Sequence, residues 1–109
     1  EGLRQIVDNL VDNAIKYTPD GGRVTVRCGR DEGMAVIEVE DTGIGIPASE
    51  QDRVFERFYR VDKARSRQVG STGLGLSIVK HLCQSLGGSV QLTSQIGSGS
   101  LFRVRLPAE

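Results

Sequence analysis

The sequence has no tryptophan, one histidine, two cysteines and only 5% aromatic residues. Such a low aromatic content counts against a surface on which nucleic-acid bases stack. Lys plus Arg is 14 and Asp plus Glu is 14, so the net charge is zero, and we expect no bulk binding to nucleic acid or to an anionic membrane. No apolar run reaches the roughly 18 residues that suggest a membrane-spanning helix. We therefore expect a soluble domain.

The two cysteines, Cys28 and Cys83, lack CxxC spacing, which argues against a zinc motif or a redox dithiol. We predict that both are core residues in a reducing compartment. The phosphate-binding sequence GxxxxGK[ST] is also missing, which excludes a P-loop mechanism. The only histidine, His81, lies off the apolar arc of its predicted helix. We expect it to be exposed and non-catalytic, and the sequence contains no Ser/His/Asp set.

The chain has 109 residues, 38% of them hydrophobic, which is enough for one domain and too little for two. Apolar residues at three- and four-residue spacings predict amphipathic helices at 2–17 and 74–86. Alternating apolar and polar residues predict strands at 24–28, 35–39, 90–94 and 101–106. Strands with helices on one face make an α+β fold, a two-layer α/β sandwich. No strand precedes the first helix, so we expect that the start of the domain is missing.

Three polar residues of the first helix, Asn9, Asn13 and Lys16, lie within about 60° of one another beside the apolar arc. An asparagine oxygen is a neutral, hard ligand that suits Mg²⁺, and a lysine ammonium suits a phosphate. The alternative is an ordinary solvated helix face.

Asp41 continues the alternation of the second strand, so its carboxylate is predicted to point towards the core, where it needs hydrogen-bond partners. One interpretation is that it caps the following turn. The other is that it accepts a hydrogen bond from the exocyclic amine of adenine, while Gly43 and Gly45 let the backbone approach a ligand closely.

A glycine-rich run, residues 70–76, precedes the second helix. Free N–H groups at a helix start can bind an anion, although an ordinary glycine-rich loop is an equal alternative. Residues 59–73 are rich in charge and poor in apolar side chains, which predicts a mobile loop. Its basic residues can serve solubility alone, but Arg60 is the best placed to reach a phosphate. Phe55 and Phe58 are predicted to anchor this segment on the core.

Five segments resemble, in order, the sequence boxes of the histidine kinase ATPase domain. Residues 10–19 (LVDNAIKYTP) resemble its N box, 41–47 (DTGIGIP) its G1 box, 55–60 (FERFYR) its F box, 70–76 (GSTGLGL) its G2 box and 97–102 (GSGSLF) its closing glycine motif. Ser100 stands where this family often has threonine. The resemblance covers nearly the whole chain, and five boxes in one order are far more specific than any one of them.

The resemblance implies the Bergerat ATP-binding fold over residues 1–109, with a mixed sheet, helices on one face and residues 59–73 as a flexible lid. Asn13, helped by Asn9, would ligate Mg²⁺. Lys16 and Arg60 would contact the phosphates of ATP and complete the catalytic set with the two asparagines. The other implied nucleotide contacts are Tyr17, Asp41, Gly43, Gly45, Ile46, Thr72, Gly73, Leu74, Gly75 and Leu76.

The residue at position 9, Asn9, distinguishes this chain from the hydrolysing ATPases of the wider superfamily. DNA gyrase, the heat-shock chaperone ATPase and the mismatch-repair ATPases have at this position a glutamate that activates water. A carboxamide cannot act as that base, so the site suits phosphate transfer to a better nucleophile, such as an imidazole. The resemblance therefore implies a protein-histidine kinase module.

The implied acceptor histidine lies on a separate dimerisation and phosphotransfer domain, because His81 follows the G2 box and lacks the acidic residue that follows the family's phosphorylated histidine. A response regulator would be the further partner. We expect a monomeric, cytoplasmic domain whose parent protein is tethered to the inner membrane. The alternatives are a degenerate module that signals by protein contact, an ATP-hydrolysing clamp, and a serine kinase of the same superfamily.

Overall fold

The computed structural model describes residues 2–57, 59 and 75–107. Its elements in chain order are helix α1 (Gly2–Lys16), strands β1 (Val24–Asp31) and β2 (Met34–Asp41), a 3-10 turn (Ala48–Glu50), helix α2 (Gly75–Ser85), and strands β3 (Ser89–Gln95) and β4 (Gly99–Pro107). Both predicted helices and all four predicted strands are confirmed. Neither described helix is long and apolar enough to cross a bilayer.

The four strands form one sheet in the order β1-β2-β4-β3. The predicted α+β sandwich is confirmed, but the mixed sheet is wrong for the described residues, because all three strand pairs are antiparallel. β2 and β3 run in the same direction, as strands joined through a helix can, but β4 lies between them and pairs with both. The register places Asp41 opposite Ser100.

The core lies between the two helices and the inner face of the sheet. Phe102 is 1% exposed, and its ring meets that of Phe55 edge to face, with centroids 6.0 Å apart. On β4, Phe102, Val104 and Leu106 are all buried, so alternate residues of this strand face the core. The buried core cluster contains Ile6, Leu10, Ala14, Ile37, Val39, Val79, Cys83, Phe102, Val104 and Leu106.

One core prediction is wrong. Cys83 is buried as expected, but Cys28 is exposed, and Val26 on the same strand is 45% exposed. β1 is an edge strand of the described sheet, and the buried cluster contains sheet residues of β2 and β4 only. Alternation therefore identified which side of β1 faces the helices, although that side is only partly covered.

The two helices pack with opposite chain directions. A Cβ atom on Gly2 would lie 3.4 Å from Cδ1 of Leu86, so the first turn of α1 meets the chain just after α2. α2 ends in a Schellman motif: the N–H of Gly88 donates to the carbonyl of Cys83 at 2.8 Å, and Gly87 adopts a φ of +81°. The start of α2 is therefore directed towards the end of α1 near Lys16.

The outer face of the sheet carries a ladder of ion pairs. The Nε of Arg103 donates to Oε2 of Glu38 at 2.7 Å, and the Nε of Arg27 donates to Oε1 of Glu38 at 3.0 Å. Hydrogen bonds from Arg103 and then Arg27 hold the pKa of Glu38 below its usual range. Arg105, on the same face, pairs with Asp31 at 3.2 Å.

Candidate functional site

The loop that follows β2, residues 42–47, lies against the C-terminal end of α1. The N–H of Ile44 donates to the carbonyl of Tyr17 at 3.3 Å. Thr42 ties the start of the loop to Arg23, because its Oγ1 accepts the N–H of Arg23 at 2.8 Å while its own N–H donates to the carbonyl of Arg23 at 3.0 Å. Two motifs that are far apart in sequence, the N-box-like helix and the G1-like loop, are therefore in direct contact.

Asp41 is buried at the base of this loop, with 6% of its surface exposed. Its Oδ1 accepts the N–H of Gly43 at 2.8 Å. Burial raises the pKa of Asp41, while hydrogen bonds from the backbone of Gly43 and Ser100 act in the opposite direction. The capping interpretation is thus what the structure shows. A carboxylate has about four lone-pair sites, so recognition of an adenine amine is compatible with the cap and stays a prediction.

Gly43 and Gly45 have a packing role that the sequence pattern does not indicate. A Cβ atom on Gly43 would collide with the carbonyl oxygen of Tyr17. Gly45 has a φ of +78°, and a Cβ atom there would collide with the carbonyl of Gln95. Both glycines are therefore required for the loop to pass between α1 and the β3–β4 hairpin, and their contact with a nucleotide stays a prediction.

The far end of the loop is held by two side chains that were not predicted as site residues. The N–H of Ile46 donates to Oγ of Ser94 at 2.8 Å, and Nε2 of Gln51 donates to the carbonyl of Ile46 at 2.9 Å. One signal was present for Ser94: it follows Val90 and Leu92 in the alternation of β3, so a hydroxyl occupies a core-facing position. Nothing in the sequence pattern pointed to Gln51.

The polar stripe of α1 lies at the rim of the core. Asn9, Asn13 and Lys16 are each half-buried, and Lys16 Nζ lies 3.2 Å from Oδ2 of Asp12. The Nδ2 atom of Asn9 is buried and has no hydrogen-bond partner among the described residues. An unsatisfied buried polar atom is costly, which makes this stripe a place where a polar ligand would stabilise the protein.

The metal prediction depends on the amide oxygens of the same stripe. In the described part of the chain, no three His, Cys, Asp or Glu side chains come together as metal ligands. Mg²⁺ in proteins usually keeps several waters and binds substrate phosphates together with one or two oxygen ligands of the protein, most often carboxylates. Asn9 can offer either atom of its amide, because rotation of the amide by 180° exchanges Nδ2 and Oδ1.

The G2-like run is described only from the first residue of α2. Gly75 starts the helix, and Leu76 packs against the core. Arg60, Thr72, Gly73 and Leu74 lie outside the described residues, as does Phe58. Of the lid predicted at 59–73, only Tyr59 is described, and its hydroxyl donates to Glu50. His81 is exposed on α2, as predicted.

The family described as "Histidine kinase-, DNA gyrase B-, and HSP90-like ATPase" matches residues 1–109. The chain belongs to this ATPase family. The resemblance drawn from the five sequence boxes is therefore confirmed, and the sandwich described above is the fold of this ATPase family.

Similar proteins narrow the comparison within the ATPase family. The sensor histidine kinase RppB of Synechocystis is 50% identical over 105 residues, which cover 96% of this chain and 23% of that protein. The sensor histidine kinase WalK of Bacillus subtilis is 46% identical over 107 residues, which cover 96% of this chain and 18% of that protein. The chain therefore spans about a quarter or less of the length of these curated relatives.

Solved structures agree with the fold. The mycobacterial sensor histidine kinase MprB has a TM-score of 0.85 and 40% identity, covering 97% of this chain and 72% of that chain. The full-length ShkA structure in complex with AMPPNP has a TM-score of 0.82 and 34% identity, covering 97% of this chain and 21% of that chain.

Proposed function

We propose that this domain binds ATP with Mg²⁺ and donates the γ-phosphate to a histidine on a separate dimerisation and phosphotransfer domain, in two-component signalling with a response regulator. The observation that carries the proposal is the contact between the G1-like loop and the end of α1. It joins the buried carboxylate of Asp41 to the helix that bears the polar stripe. The sensor-kinase relatives and the AMPPNP complex of ShkA support the choice of ATP.

The base of ATP is assigned to the loop side of this junction. The carboxylate of Asp41, already accepting a hydrogen bond from Gly43, accepts a further one from the exocyclic amine of adenine. Tyr17 lies where α1 meets the loop and packs near the base. Gly45 and Ile46 complete the wall of the pocket along the loop.

The phosphates are assigned to the helix ends. The ammonium of Lys16 and the backbone N–H groups at the start of α2, with Gly75 and Leu76, would provide a positive region that suits phosphate oxygens. Arg60 and residues 72–74 belong to the same proposal through the sequence resemblance.

Asn9 and Asn13 would hold Mg²⁺ through their side-chain oxygens, and a 180° rotation of the Asn9 amide would place Oδ1 at the position of the orphaned Nδ2. When bound, Mg²⁺ neutralises phosphate charge. The protein side of catalysis is positioning and electrostatic stabilisation, supplied by Lys16 and the α2 amides. A carboxamide at position 9 accepts no proton from water, so hydrolysis is disfavoured relative to transfer to an imidazole.

The acceptor imidazole comes from outside the 109-residue domain in this proposal. His81 is exposed in the middle of α2, whereas the proposed phosphate region is at the start of that helix. As a sensor-kinase catalytic domain, the module would operate in the cytoplasm.

The first test is a calorimetric titration with ADP and with AMPPNP, with and without Mg²⁺, on the wild type, Asp41→Asn and the exposed control Asp52→Asn. We expect saturable binding that needs Asp41 and is unaffected by the control. Asn13→Ala should reduce the Mg²⁺ dependence, and unchanged Mg²⁺-dependent affinity in this variant would contradict the metal assignment.

The second test supplies ATP and a purified histidine phosphotransfer domain of a sensor kinase. Acid-labile phosphate on that domain is the expected product, and acid-stable phosphate would indicate a serine kinase instead. Rapid turnover without an acceptor would favour the ATPase clamp. A folded wild type that binds no nucleotide would leave a non-catalytic signalling module.

A further inference from the structure

The hydroxyl of Ser94 is surrounded by three polar groups. Its Oγ accepts the N–H of Ile46 at 2.8 Å and donates to the carbonyl of Gly99 at 2.9 Å. It also lies 2.8 Å from Oγ of Ser100. A serine hydroxyl has one proton and two lone pairs, so these three neighbours use its full hydrogen-bonding capacity. Ser94 is therefore a satisfied, half-buried junction between the G1-like loop and the β3–β4 hairpin.

Gln51 makes the second connection at the same place. Its Nε2 donates both to the carbonyl of Ile46 at 2.9 Å and to the carbonyl of Ser94 at 3.0 Å. The N–H and the C=O of Ile46 are thus both held by side chains, one on β3 and one just after the 3-10 turn. We refer to Gln51 and Ser94 together as the loop clamp.

The same hairpin holds both ends of the loop. Asp41 is opposite Ser100 in the β2–β4 register, and a Cβ atom on Gly99 would collide with the carbonyl of Asp41. At the other end, the loop clamp fixes Ile46. The position of the loop relative to the Asp41 carboxylate is therefore determined mainly by tertiary hydrogen bonds, since residues 42–47 form no helix or strand.

We infer that Ser94 and Gln51 are positioning residues for base recognition, which set the distance between the loop and the Asp41 carboxylate and so the width of the pocket assigned above to adenine. They act through Ile46 rather than by touching the nucleotide. The inference rests on the proposed function, because it concerns how the proposed pocket discriminates one base from another.

The first measurement is amide hydrogen exchange without nucleotide, on the wild type, Ser94→Ala, Gln51→Leu and the control Thr93→Ala. Thr93 is the preceding residue on β3 and is exposed on the outer face. Loss of this half-buried acceptor should speed exchange of the Ile46 amide by about tenfold in Ser94→Ala. The amide of Val104 in the core should keep its protection in both clamp variants, and Thr93→Ala should match the wild type throughout.

The second measurement is the ratio of affinities for ADP and GDP. Ser94→Ala and Gln51→Leu should each weaken ADP binding by about five- to tenfold and lower the preference for ADP over GDP. Ser94→Thr keeps the hydroxyl and should recover the preference. A purely structural role would reduce stability without changing the ratio.

Three outcomes would overturn the inference. The first is an Ile46 amide that exchanges no faster in Ser94→Ala, or that speeds up only together with Val104. The second is a wild type that binds ADP, together with a Ser94→Ala variant whose ratio of ADP to GDP affinity equals that of the wild type. This outcome would leave the proposed function standing. The third is a folded wild type that binds neither nucleotide, in which case the proposed function fails as well.

Discussion

Gly43→Ala tests the contact between the G1-like loop and α1. The new Cβ atom would collide with the carbonyl oxygen of Tyr17 and would lie 2.9 Å from Oδ1 of Asp41. The carbonyl belongs to backbone and cannot rotate away like a flexible side chain. The loop must therefore move, which strains or breaks the hydrogen bonds from Ile44 to Tyr17, at 3.3 Å, and from Gly43 to Asp41, at 2.8 Å.

The expected loss of stability follows from these contacts. Overpacking a close-packed site costs about 1–3 kcal/mol, and a lost neutral hydrogen bond costs about 0.5–1.5 kcal/mol. The two costs overlap, because a loop that moves away to relieve the collision is also the loop that loses the hydrogen bonds. We therefore expect the free energy of unfolding to fall by about 2–4 kcal/mol, a large share of the roughly 5–15 kcal/mol that stabilises a typical domain. The displaced Asp41 carboxylate should also weaken ADP binding at least tenfold.

The matched control is Gly29→Ala. Gly29 lies on the exposed edge strand, and a Cβ atom there would meet nothing within 4 Å. The free energy of unfolding of Gly29→Ala should therefore differ from that of the wild type by no more than about 0.5 kcal/mol. Urea unfolding followed by circular dichroism gives both free energies of unfolding, and ADP titration gives the affinities. Equal stability and equal ADP affinity of the two variants would refute the reasoning.

Three further predictions concern the rest of the fold. In the folded protein, a thiol reagent should label Cys28 rapidly and Cys83 only on unfolding, because Cys83 is 0% exposed and burial raises its pKa; fast labelling of both thiols in the native state would contradict the packing of α2. Phe102→Ala should lower the free energy of unfolding by about 3–5 kcal/mol, measured by denaturant titration, and a loss below about 1 kcal/mol would show that its contact with Phe55 is not as packed as described. Glu38→Gln should lower stability at neutral pH by at most about 1 kcal/mol. Because the pKa of Glu38 is lowered in the folded state, its contribution is present above its unfolded pKa and is lost as the pH falls through the folded pKa. The gap between the Gln variant and the wild type should therefore close on acidification, and a gap that widens in acid would contradict this assignment.

The helices and strands could be predicted because their signals are local. The four-residue spacing of Ile6, Leu10 and Ala14 predicts one face of a helix, whatever that helix packs against. The inward positions of Phe102 and Val104 follow from alternation in the same way. Cys28 was misplaced because alternation reports only which side of a strand a residue occupies. Whether that side is covered depends on the place of β1 in the sheet, which no local pattern contains.

The features of the site also divide into those that local sequence predicts and those that depend on tertiary structure. Sequence alone identified the core-facing carboxylate of Asp41 and the polar stripe that includes Asn9, because each depends on residue type and spacing within one segment. It also identified the family, because five such segments follow one another in the family's order. Only the tertiary structure decided that Gly43 must pass the carbonyl of Tyr17, and that Ser94 holds Ile46 across 48 positions of sequence. Hydrogen bonds and steric limits between distant segments arise from the packed chain, and a linear pattern cannot specify them.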